Sequence, residues 1–190
     1  MTEIPENCLF NKRITGCGAT ELAIRNSIDT IIAMPYVSLV KNKSIYRRDS
    51  TYVLGVYQGI TEDDIKRYAL TEQKLKIATT YDSIPKVIKV LEDIGRNPFK
   101  DAFLLVDEWH CLFNDYLYRR DCIRRLLSFA TQFDRTTYMS ATPIAREFLF
   151  DEIKHLPINE VEWPNPTPIS VRSEQTNNPI EYIVEYCRSI

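Results

Sequence analysis

Three short segments carry residue types that suit phosphate and proton chemistry, and each follows an apolar stretch. Residues 104–110 read Leu-Leu-Val-Asp-Glu-Trp-His, so two adjacent acids end an apolar run. Residues 140–143 read Ser-Ala-Thr-Pro, and residues 15–20, upstream of both, read Thr-Gly-Cys-Gly-Ala-Thr. Burying an acid pair is costly unless it meets a cation or takes part in proton transfer, and a glycine-rich turn leaves backbone N–H groups free to hold phosphate oxygens. Together the segments predict a site for the phosphates of a nucleotide.

The composition narrows the class of protein. A chain of 190 residues suits one domain, or one domain with a tail. The net charge is −2, from 24 basic and 26 acidic residues, so a nucleic-acid-binding surface would have to be a local patch. Five cysteines without a Cys-x-x-Cys pair and only two histidines argue against a disulfide framework and a His-rich metal site. No apolar run could span a bilayer and no signal-peptide pattern opens the chain, so we expect a cytoplasmic protein without a membrane partner.

The elements that would position these segments alternate along the chain. Strands are predicted at residues 8–15, 30–34, 52–57, 75–79, 102–106, 136–139 and, as an edge strand, 158–163. Helices are predicted at residues 21–26, 36–43 and 119–130, after a Thr61 cap, and from an Asp82 cap to Gly95. This alternation predicts an α/β fold in three layers, with a mostly parallel central sheet. Ligands of such sheets bind beyond the carboxyl ends of the strands, where all three segments fall.

The texture of the sequence changes after Leu156, where prolines crowd a polar stretch. Residues 1–163 are therefore interpreted as the folded domain, and residues 164–190 as a linker or tail that leads toward a further domain. The arginines of the helix at 119–130 are interpreted as a solvated face, because charge runs usually are. These arginines are Arg119, Arg120, Arg124 and Arg125.

In this order and spacing, the Thr-Gly-Cys-Gly-Ala-Thr, Asp-Glu-Trp-His and Ser-Ala-Thr segments resemble motifs I, II and III of the superfamily 2 helicases and translocases, which include the DEAD- and DEAH-box proteins. Residues 34–40 and 77–82 resemble further segments of that family. The resemblance covers roughly residues 8–150. It implies a P-loop NTPase fold, namely the first RecA-like motor domain, which uses ATP and Mg²⁺, binds DNA or RNA, and works with a second RecA-like domain in a longer chain.

The resemblance also implies roles for single residues. Asp107 and Thr20 would hold Mg²⁺, Glu108 would orient and deprotonate the attacking water, and His110 would link this site to the third segment. The implied coupling residues are Ser140, Ala141 and Thr142. The implied nucleic-acid contacts are Pro35, Ser38, Lys41 and Thr80. The nucleotide-binding set is Lys12, Thr15, Gly16, Cys17, Gly18, Ala19 and Thr20.

Purely structural readings stay open beside these roles. Thr20 could be a helix cap, Glu108 a solvated loop acid, and His110 a satisfied core histidine. Ser140 and Thr142 could be turn hydroxyls.

One position departs from the family pattern, because Ala19 stands where the family has a lysine between the last glycine and the threonine. That lysine neutralises the β- and γ-phosphates, so its loss should weaken nucleotide binding and catalysis. Lys12 or Arg13 could replace it from the end of the preceding strand, nucleotide could bind but turn over slowly, or the domain could have lost its activity.

The expected function is an ATP-dependent helicase or translocase motor domain that couples hydrolysis to nucleic-acid binding. The isolated chain should be nearly inactive without a second domain, whose arginine finger would contribute ~10³–10⁵ in rate. The alternative is a catalytically degenerate scaffold that binds nucleotide or nucleic acid. A P-loop ATPase unconnected to nucleic acid is the third option, and the Ser-Ala-Thr segment argues against it.

Overall fold

The computed structural model describes residues 2–44 and 51–162, which contain a seven-stranded, all-parallel sheet. The strands are β1 (Cys8–Asn11), β2 (Asp29–Met34), β3 (Leu54–Val56), β4 (Lys76–Thr80), β5 (Ala102–Asp107), β6 (Arg135–Ser140) and β7 (Ile158–Glu160). Their order in the sheet is β3-β4-β2-β5-β6-β1-β7. The expected tail at 164–190, and the last residue of the expected domain and edge strand, Trp163, lie outside the described residues.

Helices cover both faces of the sheet. They are α1 (Ala19–Arg25), α2 (Val37–Ser44), α3 (Glu62–Thr71), α4 (Ile84–Asp93), α5 (Pro98–Asp101), α6 (Cys111–Asn114) and α7 (Tyr116–Ala130), with 3₁₀ turns at Tyr81–Ser83 and Arg146–Phe148. Alternate residues of a strand enter opposite layers of the core. On β2, Ile31 and Ala33 pack with α3, α4 and α7, whereas Ile32 and Met34 pack with α1 and α2. The predicted three-layer α/β class with a parallel sheet is therefore confirmed, and it is consistent with a RecA-like domain.

The sheet order brings the three segments together. Strand β6 lies between β1 and β5, and all three strands run in the same direction. The glycine turn follows β1, the acid pair ends β5, and the Ser-Ala-Thr segment follows from the last residue of β6. Three segments that are far apart in sequence thus meet at one edge of the sheet, as parallel strands require.

Several predicted boundaries differ from the structure, among them the end of the edge strand, which stops at Glu160, and two of the differences have a clear local reason. Strand β1 ends at Asn11 and not at residue 15, since Arg13 adopts a left-handed backbone conformation (φ +55°) that an extended strand cannot contain. Asp82 does not cap α4, because it lies within the 3₁₀ turn that precedes the helix and its carboxylate accepts a hydrogen bond from Arg119. The predicted Thr61 cap is confirmed, and it forms a capping box with Asp64.

Helix α2 packs closely against β3. A Cβ atom added to Gly55 would lie 2.6 Å from the Ser44 hydroxyl oxygen and 3.4 Å from a Val40 methyl carbon. Only a glycine lets the last turn of α2 approach the strand this closely. This contact determines where Asn42 and Lys43, in the same turn, are presented.

A buried lysine joins strands to loops at the amino end of the sheet. Lys76 begins β4 and is 3% exposed. Its ammonium donates hydrogen bonds to Asn26 Oδ1 (2.5 Å), the Ile28 carbonyl (2.6 Å) and Thr30 Oγ1 (3.0 Å), and it lies 3.3 Å from the Ala23 carbonyl oxygen. The side chain therefore holds the connection between α1 and β2 against β4.

We expect Lys76→Met to lower the free energy of unfolding by about 2–4 kcal/mol, because buried acceptors lose their donor. Burial lowers the pKa of Lys76 to about 8, whereas a lysine in the unfolded chain titrates near ~10.4. Between these values the unfolded chain binds the extra proton, so this group makes the wild-type stability rise with pH, and the deficit of the variant should grow. Urea unfolding at about pH 7 and about pH 9.5 measures this, with the exposed Lys66→Met as control. Equal losses in the two variants would contradict the prediction.

Candidate functional site

A cavity of about 360 Å³ opens at the carboxyl edge of the sheet, beside the glycine turn. Residues 16–20 form one wall, and Lys12, Asp107 and Glu108 also line it. Gly16 and Gly18 have φ values of +72° and +83°, a region that residues with a Cβ atom rarely adopt. Nothing lies within 4 Å of a Cβ built at either position, so the turn needs glycine for its backbone conformation and not for space.

Asp107 is the most enclosed acid of the site, at 6% exposed. Its Oδ2 accepts a hydrogen bond from the Thr20 hydroxyl (3.0 Å). Its Oδ1 accepts one from the Glu108 backbone N–H (3.0 Å) and lies 3.3 Å from the Lys12 ammonium. Burial raises the pKa of Asp107, and the charge of Lys12 opposes that rise. Thr20 is not the helix cap, since α1 begins at Ala19 and Gly18 precedes it.

Lys12 binds both acids and is 5% exposed. Its ammonium donates to Glu108 Oε1 at 2.7 Å, in addition to its contact with Asp107. Burial by itself would lower the pKa of Lys12, but the charges and hydrogen bonds of the two carboxylates raise it above the ordinary value. Of the two cations considered as substitutes for the P-loop lysine, Lys12 therefore lies in the cavity, whereas the exposed Arg13 side chain turns away and pairs with Glu160 of β7.

Glu108 adopts a strained backbone conformation at the end of β5. Its φ is +52°, in the left-handed region that a residue with a side chain occupies only when its surroundings hold it there. One such constraint is Tyr81, 1% exposed, whose hydroxyl donates to the Asp107 carbonyl (2.7 Å) and lies 3.3 Å from the Glu108 carbonyl. The buried Tyr81 side chain thus holds the backbone of both acids in place.

His110 connects the acid segment with the Ser-Ala-Thr segment. Its Nδ1 lies 2.8 Å from the Ser140 hydroxyl oxygen and 3.4 Å from Glu108 Oε2. The Ser140 hydroxyl oxygen also accepts a hydrogen bond from the Thr142 backbone N–H (2.9 Å), so Ser140 is a turn hydroxyl as well as a partner of the histidine. Ala141 follows directly in the same turn. The two segments are in direct contact.

The remaining members of the nucleotide-binding set divide between the cavity and the surface. Cys17 and Ala19 line the cavity with the glycines, while Thr15 is exposed and is not part of its lining.

Sequence reasoning missed the contribution of α2 to the cavity. Leu39, Asn42 and Lys43 line it, and they lie on one helix face because residues three and four positions apart are neighbours. That spacing was the available signal. Lys43 is half-buried and brings a second positive charge to the cavity. Lys41 is not part of the cavity lining, and its ammonium lies 5.2 Å from the ring centroid of Tyr57.

The residues expected to contact nucleic acid differ in accessibility. Ser38 and Lys41 are exposed on α2. Pro35 is buried, and its carbonyl accepts a hydrogen bond from Arg119. Thr80 is 6% exposed, and its hydroxyl donates to the Ser83 hydroxyl (3.0 Å).

The interpretation of the α7 arginines as a solvated face holds for Arg120, Arg124 and Arg125, which are exposed, and is wrong for Arg119. Arg119 lies at a kink in the helix. Its guanidinium donates to the Pro35 carbonyl (3.0 Å), to Asp115 (3.1 Å) and to Asp82.

The same guanidinium lies 5.6 Å from the ring centroid of Tyr81. Arg119 therefore joins the loops that follow β2 and β4, and it contacts the tyrosine that holds the acid backbone.

The donor set suits a hard cation only in part. Among the described residues, no group of three His, Cys, Asp or Glu side chains is placed to hold a metal ion. Thr20 Oγ1 and Asp107 Oδ2 are oxygen atoms that can ligate a metal ion, and they lie 3.0 Å apart. Mg²⁺ is commonly held by one or two such groups together with substrate phosphates. The two residues fit a Mg²⁺ that arrives with a nucleotide.

Comparisons with other proteins leave the family open. A scan of the chain against protein-family models gives no match, and a search among curated proteins gives none either. Within residues 2–44 and 51–162, no helix has both the length and the apolar character needed to cross a membrane.

We expect Tyr81→Phe to lower the free energy of unfolding by about 1–2 kcal/mol, since the buried Asp107 carbonyl loses its donor. Tyr138→Phe is the matched control. Tyr138 is 2% exposed, and its hydroxyl makes no hydrogen bond within the part of the chain that the structure describes, so this change should cost less than about 0.5 kcal/mol. Urea unfolding of the three proteins measures the difference. Equal stabilities of the two variants would show that the hydroxyl does not hold the acid segment.

Proposed function

We propose that this chain is a nucleotide-dependent motor domain, which binds ATP with Mg²⁺ in the cavity beside the glycine turn and couples its hydrolysis to nucleic-acid binding. The reaction class is phosphoryl transfer to water. The domain would be the first of two RecA-like domains of a superfamily 2 type helicase or translocase.

The observation that carries the proposal is the position of Lys12. A triphosphate site needs a cation that the glycine turn lacks at Ala19, and Lys12 presents its ammonium within 2.7–3.3 Å of the acids of that same site. A buried ammonium that lines the same cavity as a glycine turn supports a site for a charged phosphate ligand. The half-buried Lys43 adds a second cation from α2.

The residues divide the chemistry among themselves. The glycine turn offers backbone N–H groups to phosphate oxygens. Thr20 and Asp107 would hold Mg²⁺, which supplies charge neutralisation between the β- and γ-phosphates. Glu108, the more exposed of the two acids (side chain 24% against 8%), would position the attacking water and take up its proton.

Coupling to nucleic acid would use the contact between His110 and Ser140. A change at the Ser-Ala-Thr segment reaches Glu108 through one imidazole ring, since Nδ1 of His110 lies within 3.4 Å of both Ser140 Oγ and Glu108 Oε2. Nucleic acid would contact the exposed side chains of α2, Ser38 and Lys41, through its phosphates.

A scaffold that binds nucleotide without hydrolysing it is the second candidate. Ala19 favours it, and so does the ion pair between Lys12 and Glu108, because the ammonium occupies the carboxylate oxygen that a water molecule would have to approach. Both candidates require nucleotide binding, and turnover in the presence of a second motor domain separates them.

The first expectation is weak, Mg²⁺-dependent binding of ATP. The turn lacks one charged phosphate contact at Ala19, worth about 1.5–3 kcal/mol, and Lys12 replaces it only by giving up its carboxylate contacts, so the affinity should be one to two decades below that of a complete P-loop. Titration calorimetry with ATP up to millimolar concentration measures it. Asp107→Asn, which is nearly isosteric, should remove the Mg²⁺ dependence. Without any Mg²⁺-dependent binding at that limit, the proposed nucleotide site would be wrong.

A crossed pair of lysine substitutions tests which face serves which ligand. Lys43→Gln should weaken ATP binding about three- to tenfold, because one cation leaves the cavity, and should leave nucleic-acid affinity unchanged. Lys41→Gln should weaken binding of a single-stranded oligonucleotide by a similar factor, more so at low salt, and should leave ATP affinity unchanged. Calorimetry and fluorescence anisotropy in one buffer give both values. If each variant weakens both ligands alike, the two faces are not distinct.

A further inference from the structure

We propose that Lys12 is a built-in counter-ion of the acid pair, which a divalent cation must displace, so that the metal enters the site together with a polyphosphate that receives the displaced ammonium. The metal half of this proposal depends only on the residues of the site. The polyphosphate half depends on the proposed function.

The first argument is that both carboxylate oxygens of Asp107 already have a partner. Oδ2 accepts from Thr20, and Oδ1 accepts from the Glu108 N–H and contacts Lys12. A Mg²⁺ ligated by Asp107 and Thr20 lies about 2.1 Å from its ligand oxygens. The ammonium lies 3.3 Å from the other oxygen of the same carboxylate, Oδ1, so it would stand beside a divalent cation, which Coulomb repulsion strongly disfavours.

The second argument concerns what each charge loses when it is separated. Lys12 and Asp107 are 5% and 6% exposed, so neither is well solvated. A buried ion left without its partner is strongly unfavourable. A metal ion that arrives alone satisfies Asp107, but it takes that carboxylate from Lys12 and places a second positive charge beside the ammonium. A metal ion that arrives with a polyphosphate brings a new anion for the ammonium.

The third argument is that the displaced ammonium stays in the same cavity. Lys12 lines the cavity together with residues 16–20 of the glycine turn. Its backbone is fixed, because its N–H donates to the Ser140 carbonyl (2.9 Å) and its carbonyl accepts from the Ile14 N–H (2.6 Å). A lysine stem has several rotatable bonds, so rotation of the side chain alone can move the ammonium from the carboxylates to the turn. The exchange needs no movement of the sheet.

The inference predicts that removing the Lys12 ammonium changes the affinities for metal and for ATP in opposite directions. Removing the ammonium with Lys12→Met should tighten the binding of Mn²⁺ alone by about tenfold or more, since no cation competes for Asp107. The same substitution should weaken ATP binding in the presence of metal by about tenfold, since the phosphates lose a cation. A lysine that merely stabilises the fold would shift both affinities in one direction or neither.

The experiment measures Mn²⁺ binding to the nucleotide-free chain from the electron paramagnetic resonance signal of free Mn²⁺, with Mg²⁺ as competitor. Arg13→Gln is the control, because it removes one positive charge at the adjacent residue, whose side chain pairs with Glu160 and not with the acids. Its Mn²⁺ affinity should stay within about twofold of the wild type. Adding Asp107→Asn to Lys12→Met should abolish the gain.

The outcomes separate the inference from the proposed function. If Lys12→Met binds Mn²⁺ no more tightly than the wild type, the counter-ion exchange is wrong, whatever happens with ATP. If Mn²⁺ binding tightens but the wild type does not bind ATP, the metal half of the inference stands, and the polyphosphate half falls together with the proposed nucleotide site. If Lys12→Met is unfolded in a metal-free buffer, refolding by millimolar Mg²⁺ supports the exchange, and failure to refold overturns it.

Discussion

The contact between the Lys12 ammonium and the carboxylates of Asp107 and Glu108 is the interaction on which the site depends. Two adjacent acids at the end of a buried strand repel each other and lose their hydration. Lys12 pairs with both carboxylates, and it can reach them because only one strand, β6, lies between β1 and β5. The sheet order, the ends of the strands and the charge balance of the cavity are thus parts of one arrangement.

Much of the fold could be predicted from the sequence, because the information is local. The apolar run Thr30–Met34 and the Thr61 capping box can each be recognised from a few consecutive residues. The segments with catalytic residue types can be recognised because they follow apolar runs. The parallel sheet then brings those segments together by geometry alone. This explains why Asp107, Thr20, His110 and Ser140 could be expected to meet, and they do.

The features that escaped prediction depend on distant parts of the chain. Lys12 and Arg13 are adjacent cations, and the choice between them is made by a left-handed backbone at Arg13 and by Glu160 on β7. The four arginines of α7 look alike in sequence, yet one of them lies at a kink, is only partly exposed and donates to three separate acceptors. Lys43 reaches the cavity because α2 approaches β3 at Gly55, which no local pattern reveals.

The Arg119 guanidinium has a mechanical consequence. It holds the segment after β2 through Pro35, the segment after β4 through Asp82, and its own helix through Asp115, and it also lies over the ring of Tyr81. Two loops and a helix bound to one planar group cannot be displaced independently, because moving one either moves the others or breaks charge-assisted hydrogen bonds. The loops after β2 and β4 and the start of α7 should therefore move together as one rigid unit. A displacement of α2 would then reach the backbone of the acid pair as a rotation of this unit and not as a local deformation.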